Sequence, residues 1–285
     1  MELLQHIDAG LAIKLASTAL LVVVATGFAA RFGAFIGAMI AAIPISAGPS
    51  YLFISMENDA EFVAQSALTS VAINPLTVVF LLIASVLVKR FGILISLIAG
   101  ISGWLAGAMI ITQLPLTLPQ ACLLNAVVFI VAIYLSKPLL ADIASKPAKS
   151  GWLDIPLRVI TVVTVVGSAV IVGRLLGPKA AGVVALTPVV WISMAAVIYG
   201  RQGRATCSAV LANGIVPMIG FGLGLAAVHM LIVSHGSTIA LSVGLAIPVA
   251  FTLGLTIARP YIPMYNQTPI KSPATSQVVE QPDHG

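Results

Sequence analysis

Charged side chains are scarce in this sequence. Lys, Arg, Asp and Glu together make up 8% of the 285 residues, whereas hydrophobic residues make up 59%. A water-soluble domain of this composition could not cover its surface with polar groups. The scarcity of charge therefore excludes a soluble globular protein and favours one whose surface faces lipid.

Reactive and metal-binding residues are also few. The two cysteines, Cys122 and Cys207, lie in apolar stretches, so neither a disulfide framework nor a cysteine metal site is indicated. The four histidines lack metal-ligand spacing, and no P-loop or dinucleotide-binding fingerprint occurs. We expect no cofactor, no metal and no catalytic residues. The net charge of +5 follows from membrane topology and requires no nucleic-acid partner.

Nine apolar stretches are each long enough to cross a bilayer as a helix. Their predicted bounds are residues 10–30, 33–56, 62–88, 92–112, 117–136, 156–176, 180–200, 205–232 and 237–258. The 24 glycines and 17 prolines suit membrane helices, because neighbouring helices can satisfy the backbone groups that a helix break sets free. The predicted fold is an all-α, polytopic integral membrane protein whose first partner is the lipid bilayer.

The basic residues predict the orientation. With the N-terminus outside, eleven Lys and Arg residues fall in cytoplasmic segments, while only Lys14, Arg174 and Lys179 fall outside. The positive-inside rule therefore favours nine spans, with the C-terminus in the cytoplasm. The tail is too polar to bury an apolar surface, so we expect it to be disordered.

Glycines and prolines fall at matching positions in the two halves of the chain when one half is displaced by 144 residues, although few residues are identical. Gly33 falls on Gly177, and Pro44 falls on Pro188. Spans one to four would then correspond to spans six to nine, with span five as a connector and opposite orientations of the halves. Inverted repeats of this kind recur in secondary transporters. The predicted division is a first repeat with its connector at 1–136, a cytoplasmic loop at 137–155, a second repeat at 156–259 and the tail at 260–285.

The stretch RFGAFIGAMIAAIPISAGPSYLF (31–53) is rich in glycine and broken by proline. Together with the short loops and the inverted halves, it resembles the helices of drug/metabolite transporter-type small bacterial carriers. The resemblance implies a transporter of the bacterial inner membrane and identifies no substrate. Those carriers commonly have ten helices, whereas the residues after Arg259 are too polar and too rich in proline to span a membrane.

Helix-breaking residues indicate where a transport pathway would lie. Pro44, Gly48 and Pro49 fall near the centre of span two, and a proline removes a backbone donor and clashes one turn back. Other predicted breaks are at Pro75, Pro188 and Pro217. The freed carbonyls could bind a substrate or could be satisfied by packing against neighbouring helices.

Uncharged polar side chains accompany these breaks. Gln65 and Thr69 share one face of span three, because they lie four residues apart. The predicted lining of the substrate pathway is Ser46, Ser50, Gln65, Thr69, Asn74 and Asn213. The alternative is that these side chains only join helices through hydrogen bonds.

Three acidic residues cluster where span two ends and span three begins. Repulsion among Glu57, Asp59 and Glu61 would favour proton binding by one of them. Glu57 and Glu61 are therefore candidates for proton coupling, and the alternative is a solvated loop.

These patterns predict a secondary transporter of a small polar or amphipathic metabolite, working by alternating access. A membrane-embedded enzyme and a non-transporting accessory subunit are the alternatives. Glycine pairs such as Gly33 and Gly37 permit close helix packing within one chain or between two, which leaves a homodimer open.

Overall fold

The computed structural model describes residues 38–39, 47–140, 171 and 174–262. Of these residues 91% are helical, and none lies in a β-strand. The helices are α1 (Ala47–Glu57), α2 (Ala60–Phe91), α3 (Ile93–Gln113), α4 (Leu118–Ser136), α5 (Pro178–Ala185), α6 (Val189–Asn213) and α7 (Met218–Ala258). The prediction of an all-helical protein is confirmed for this part of the chain.

Four helical stretches in the described residues are long and apolar enough to cross a membrane, so the chain is a helical membrane protein. They are Ala60–Phe91, Ile93–Gln113, Leu118–Leu139 and the 84-residue stretch Pro178–Tyr261. As one straight helix the last would be about 126 Å long, roughly four times the hydrocarbon thickness of a bilayer. It must therefore fold back on itself. The predicted count of nine spans depends partly on residues outside the described ranges and stays a prediction.

Single glycines make the tightest helix junctions. Gly92, Gly177, Gly203 and Gly236 have φ values of 80°, 84°, 83° and 77°, and their ψ values all lie near 180°. Only glycine adopts this conformation readily, because a Cβ atom would collide with the backbone. Gly203 lies inside α6 and Gly236 lies inside α7, so each of these helices consists of two segments joined at a sharp bend.

α2 is the central helix of the described structure. It packs against α3, α4, α5, α6 and α7. Of its most apolar stretch 67% is buried inside the protein, compared with 22% for α3 and 17% for α4. The exposed side chains of α3 and α4 are largely apolar, as in Leu94, Ile98 and Ile130, which suits a surface that faces lipid.

The helices cross the bundle in alternating directions between two ends, which we name the Asp59 end and the Gly92 end after the residues that flank α2. Ser208 contacts Ser85 toward the Gly92 end, and His229 contacts Ala64 toward the Asp59 end. Residues 204–235 therefore run antiparallel to α2. After Gly236 the segment 237–258 turns back toward the Gly92 end, opposite in direction to α3.

Two of the predicted spans are divided in the structure. Span seven, predicted at 180–200, consists of the end of α5 and the beginning of α6, separated by residues 186–188. Span eight, predicted at 205–232, is interrupted by a turn at 214–217. Pro188 and Pro217 immediately precede the helices that follow, because proline cannot donate the backbone hydrogen bond that would continue the preceding helix.

The predicted helix break at Pro75 is wrong. Pro75 lies inside α2, which continues through it from Ala60 to Phe91. The physical reason is a hydrogen bond from a neighbouring helix, described below, that satisfies the carbonyl group which Pro75 leaves without a donor.

Candidate functional site

A cavity of about 40 Å³ lies at the Asp59 end of the bundle. Two residues of the predicted pathway, Gln65 and Thr69, line it together with Thr112 and Lys179. Its apolar walls are Leu68, Ala72, Ile111, Leu114, Pro115 and Leu116. At roughly 10–15 Å³ for each water molecule, the cavity has room for a few waters or for a small polar group.

Lys179 is held at the edge of this cavity by the end of α3. Its Nζ atom donates a hydrogen bond of 3.2 Å to the carbonyl oxygen of Thr112. The last carbonyls of a helix have no partner within the helix, and a cation near them is favourable. An ammonium group has three hydrogens, so two remain for other acceptors. The Lys179 ammonium group is therefore held in place and can still donate two hydrogen bonds to a ligand.

Gln65 and Thr69 present different groups to the cavity. The Thr69 hydroxyl donates to the backbone carbonyl of Gln65 at 3.0 Å, which leaves its oxygen free to accept. The Gln65 side chain is half-buried and forms no hydrogen bond to another described residue. A molecule in the cavity would thus meet an amide, an ammonium group and hydroxyl oxygens within an otherwise apolar wall.

The serines of α2 hold helices together. The Ser70 hydroxyl donates to the carbonyl of Gly182 at 2.9 Å and lies 2.6 Å from the Tyr51 hydroxyl. Because the single Ser70 proton goes to Gly182, the Tyr51 hydroxyl must be the donor to Ser70. Gly182 also allows close approach, since a Cβ atom there would collide with the Ser66 carbonyl. α1, α2 and α5 are joined at this point.

A second polar cluster lies where α2 meets α4 and α7. The Asn74 amide nitrogen donates to Asn125 Oδ1 at 2.9 Å and to the Met218 carbonyl at 3.2 Å. The Asn125 amide nitrogen donates to the Val71 carbonyl at 2.7 Å. Val71 is four residues before Pro75, so its carbonyl is the one that the proline leaves without a helical donor. Asn125 supplies that donor from α4.

The Asn74 side chain is fully buried, and its Oδ1 atom has no hydrogen-bond partner among the described residues. Gly222 permits the close packing here, because a Cβ atom at this position would lie 2.7 Å from Asn74 Nδ2. The cluster is too tightly packed for a ligand in this conformation, and Asn74 does not line the cavity.

Ser50 and Asn213, two further residues of the predicted pathway, do not line the cavity. Ser50 is buried in α1, whose second and third residues are Gly48 and Pro49. In a first helical turn a proline costs little, because the amides there have no helical acceptor. The Asn213 amide donates to the Ala209 carbonyl of its own helix at 2.7 Å. Pro44 and Ser46 lie outside the described residues.

The two candidate proton carriers differ in their surroundings. Glu57 forms a bidentate ion pair with Arg174, with both N–O distances at 2.8 Å. Glu61 is exposed in the first turn of α2, next to Asp59, which caps that helix by accepting from the Phe62 amide at 2.8 Å. Neither glutamate lines the cavity.

Three residues of these sites, Asn125, Thr112 and Lys179, are not among those predicted from the sequence. Asn125 had a detectable signal, because it is the one strongly polar residue inside the apolar run ACLLNAVVFIVAIYL. Lys179 was counted only as a basic residue outside the membrane. Its position over the end of α3 depends on a contact between residues 67 positions apart, which local sequence does not reveal.

The described part of the chain contains no group of His, Cys, Asp or Glu residues that could hold a metal ion. Comparison with protein-family models, curated proteins and solved structures finds no match for this chain. The resemblance to drug/metabolite transporter-type carriers is therefore still a prediction, and function must be inferred from the geometry.

Proposed function

We propose that the protein is a secondary membrane transporter of a small polar or amphipathic metabolite. In this proposal residues 60–113 and 204–258 belong to two inverted halves that exchange conformations, so that a site between them opens to one side of the membrane at a time. The observation that carries the proposal is a pair of reciprocal contacts between these two regions.

The reciprocal contacts are related by the offset of 144 residues. The His229 ring nitrogen Nδ1 lies 2.8 Å from the Ala64 carbonyl oxygen, and the Ser208 hydroxyl donates to the Ser85 carbonyl at 2.7 Å. At this offset position 64 corresponds to 208 and position 85 corresponds to 229. The counterparts of the two residues in the first contact are therefore the two residues of the second contact. A two-fold relation between the regions would produce such a pair.

A third contact supports the same relation. Asn74 donates to the carbonyl of Met218, and these two residues are themselves 144 positions apart. A residue touches its own counterpart only where the two-fold axis passes between them. This contact lies between the two reciprocal contacts along α2, as an axis in the membrane plane would require.

The helix crossings within each region also correspond. A Cβ atom on Gly100 would lie 3.5 Å from the Phe80 carbonyl, and one on Gly244 would lie 3.2 Å from the Gly224 carbonyl. At the offset of 144, Gly244 corresponds to Gly100 and Gly224 corresponds to Phe80, so the two pairs occupy corresponding positions. Gly107 faces Leu76 in one region, and Gly220 faces Phe251 in the other. Phe251 is the counterpart of Gly107 and Gly220 is the counterpart of Leu76, so the glycine and the large residue are on opposite helices in the two crossings. These correspondences support an ancestral duplication despite the low sequence identity.

Alternating access assigns a role to the reciprocal contacts. The Ala64–His229 contact joins the regions near the Asp59 end, and the Ser85–Ser208 contact joins them near the Gly92 end. Opening a pathway at one end would separate one contact and leave the other closed. The cavity beside Gln65 and Thr69 at the Asp59 end would then be part of one access pathway.

The orientation belongs to the same proposal. The Asp59 end would face outward and the Gly92 end inward, because Lys89, Arg90, Arg201 and Arg204 lie toward the Gly92 end. We keep the nine spans, the outside N-terminus, the bacterial inner membrane and the resemblance to drug/metabolite transporter-type carriers as parts of it.

Thiol labelling tests the inverted arrangement. Asn58 and Gln202 are counterparts at the offset; Asn58 lies just before α2, and Gln202 lies next to the bend at Gly203 inside α6. In a background lacking Cys122 and Cys207, Asn58→Cys should react with a membrane-impermeant thiol reagent applied to intact cells. Gln202→Cys should react only after the cells are opened. Equal labelling of both positions in intact cells would contradict the inverted halves.

Flux in proteoliposomes tests transport itself. Short bifunctional thiol cross-linkers should stop flux when they join Ala64→Cys to His229→Cys, or Ser85→Cys to Ser208→Cys. Each single cysteine variant treated with the same reagent is the control. Flux that continues with either pair cross-linked would show that the contacts do not open. Turnover of a substrate without flux would favour the enzyme, and inertness would favour the accessory subunit.

A further inference from the structure

We infer that the cavity beside Lys179 binds the carboxylate of a short organic anion. This inference rests on the proposed transport function and names the substrate class. It is carried by the charge of the cavity lining, by the hydrogen-bonding groups left unpaired there and by the size of the space.

Charge selects an anion. Among the described residues that line the cavity, Lys179 is the only charged one and none is acidic. Glu57 is engaged by Arg174, and Asp59 by the first turn of α2. Glu61 is exposed to solvent outside the lining, where its charge is screened. A cationic ligand would lie against Lys179 without a carboxylate to balance it.

The donors in the cavity suit the same ligand. The Thr69 and Thr112 hydroxyl protons are directed to backbone carbonyls of their own helices, at 3.0 Å and 2.9 Å. The donors that remain are two ammonium hydrogens of Lys179 and the amide hydrogens of Gln65. A carboxylate accepts hydrogen bonds only, and bonds with a charged donor are roughly twice as strong as neutral ones.

The size of the cavity limits the rest of the ligand. The space of about 40 Å³ suits a small head group. The walls beyond the polar groups are formed by Leu68, Ile111 and Leu116, which would leave a second charged group without partners. A monocarboxylate with a short aliphatic chain fits these limits better than a dicarboxylate.

Binding of three matched probes to the purified full-length chain in detergent tests this inference. Butyrate, butyramide and butylamine have the same aliphatic chain and differ in the charge of the head group. Isothermal titration calorimetry should show that butyrate binds at least tenfold more tightly than the other two. Butyramide or butylamine binding as tightly as butyrate would overturn the inference, and so would the absence of binding by all three.

Variants of Lys179 locate the binding. Lys179→Gln removes the charge but keeps a donor for the Thr112 carbonyl, so the protein should fold and bind butyrate about tenfold more weakly. Lys179→Arg should retain most of the binding. Lys137→Gln is the matched control, because Lys137 lies beside the Tyr134 ring, well away from the cavity. Unchanged butyrate binding by Lys179→Gln in a folded protein would overturn the inference.

Flux separates this inference from the proposed function. Butyrate that binds without crossing the proteoliposome membrane would leave the anion site in place and contradict the transporter. Flux of butyramide or butylamine without butyrate would support the transporter and overturn the anion site.

Discussion

Residues 60–91 and 204–235 occupy corresponding positions at the offset of 144, yet they differ at their centres. The first is the unbroken helix α2, which continues through Pro75. The second is interrupted by a turn at residues 214–217, which ends at Pro217. Both stretches begin beside an interhelical turn and end at a positive-φ glycine, Gly92 or Gly236. The difference is therefore local to the middle of the two stretches.

α4 supports the unbroken course of α2. α4 packs mainly against α2, and its Asn125 donates to the Val71 carbonyl that Pro75 leaves free. Among the described residues no side chain donates to the Asn213 carbonyl, which lies four residues before Pro217, and the chain there turns through shorter-range bonds such as Ile215 N to Ala212 O at 3.2 Å. A neighbouring helix that supplies the missing donor is one way in which a membrane helix can continue through a proline.

The largest expected effect concerns the helix crossings, where the residues of the two regions differ. Position 80 holds a phenylalanine, but its counterpart Gly224 faces the Gly244 carbonyl and lies where a Cβ atom would be 2.9 Å from Pro248. Gly224→Ala should destabilise the protein by about 2–3 kcal/mol, because backbone cannot easily give way. Thermal and SDS denaturation in detergent measure this cost.

Gly254→Ala in the same helix is the control for that variant, because nothing lies within 4 Å of its Cβ position. It should be neutral or stabilising by up to about 1 kcal/mol, since alanine is the better helix former. Equal stability of the two variants would show that the crossing at Gly224 is looser than described.

A double-mutant cycle tests the role of Asn125. Asn125→Ala should cost about 1–3 kcal/mol, because it leaves the Val71 carbonyl buried without a donor. In a Pro75→Ala background the restored backbone amide can bond to that carbonyl, so the same substitution should cost less. Equal costs in the two backgrounds would mean that Asn125 acts only through its bond with Asn74.

Gly92 and Gly236, the glycines that end the two stretches, can be compared directly. Gly92→Ala and Gly236→Ala each place a side chain at a φ near +80°, and both should cost about 1–2 kcal/mol. Gly92→Ala should be the more costly, because its Cβ atom would also lie 3.1 Å from the Tyr199 hydroxyl, whereas the Gly236 position is open. Gly200→Ala, also in open space and without a positive φ, is the control. The corresponding turns would differ in kind if only one of the two variants were destabilised in the denaturation assay.

The smallest effect concerns a polar contact found in one region only. Tyr51 and Ser70 share a hydrogen bond, but their counterparts are Ala195 and Gly214, and Trp191 packs on that glycine instead. Tyr51→Phe should therefore cost only about 0.6–1.7 kcal/mol, as for other hydrogen bonds between membrane helices. A loss well above this range would assign the Tyr51 hydroxyl a role beyond joining α1 to α2.

The helices of the first region could be predicted closely. The spans predicted at 62–88, 92–112 and 117–136 agree with α2, α3 and α4 to within about three residues. Gln65 and Thr69 could be grouped because a spacing of four residues places them on one helical face. Pro75 could not be interpreted correctly, since its effect depends on Asn125 in another helix.

The sequence by itself determined that this is a helical membrane protein, because the length and hydrophobicity of each span are local properties of the chain. Through spacing alone it also predicted a relation between two regions at an offset of 144 residues, which stays a prediction. Only the tertiary structure decided which polar groups meet: Asn125 with Val71, Lys179 with Thr112, and His229 with Ala64. These partners are 54, 67 and 165 residues apart, and their pairing depends on how the helices pack rather than on any property of a single helix.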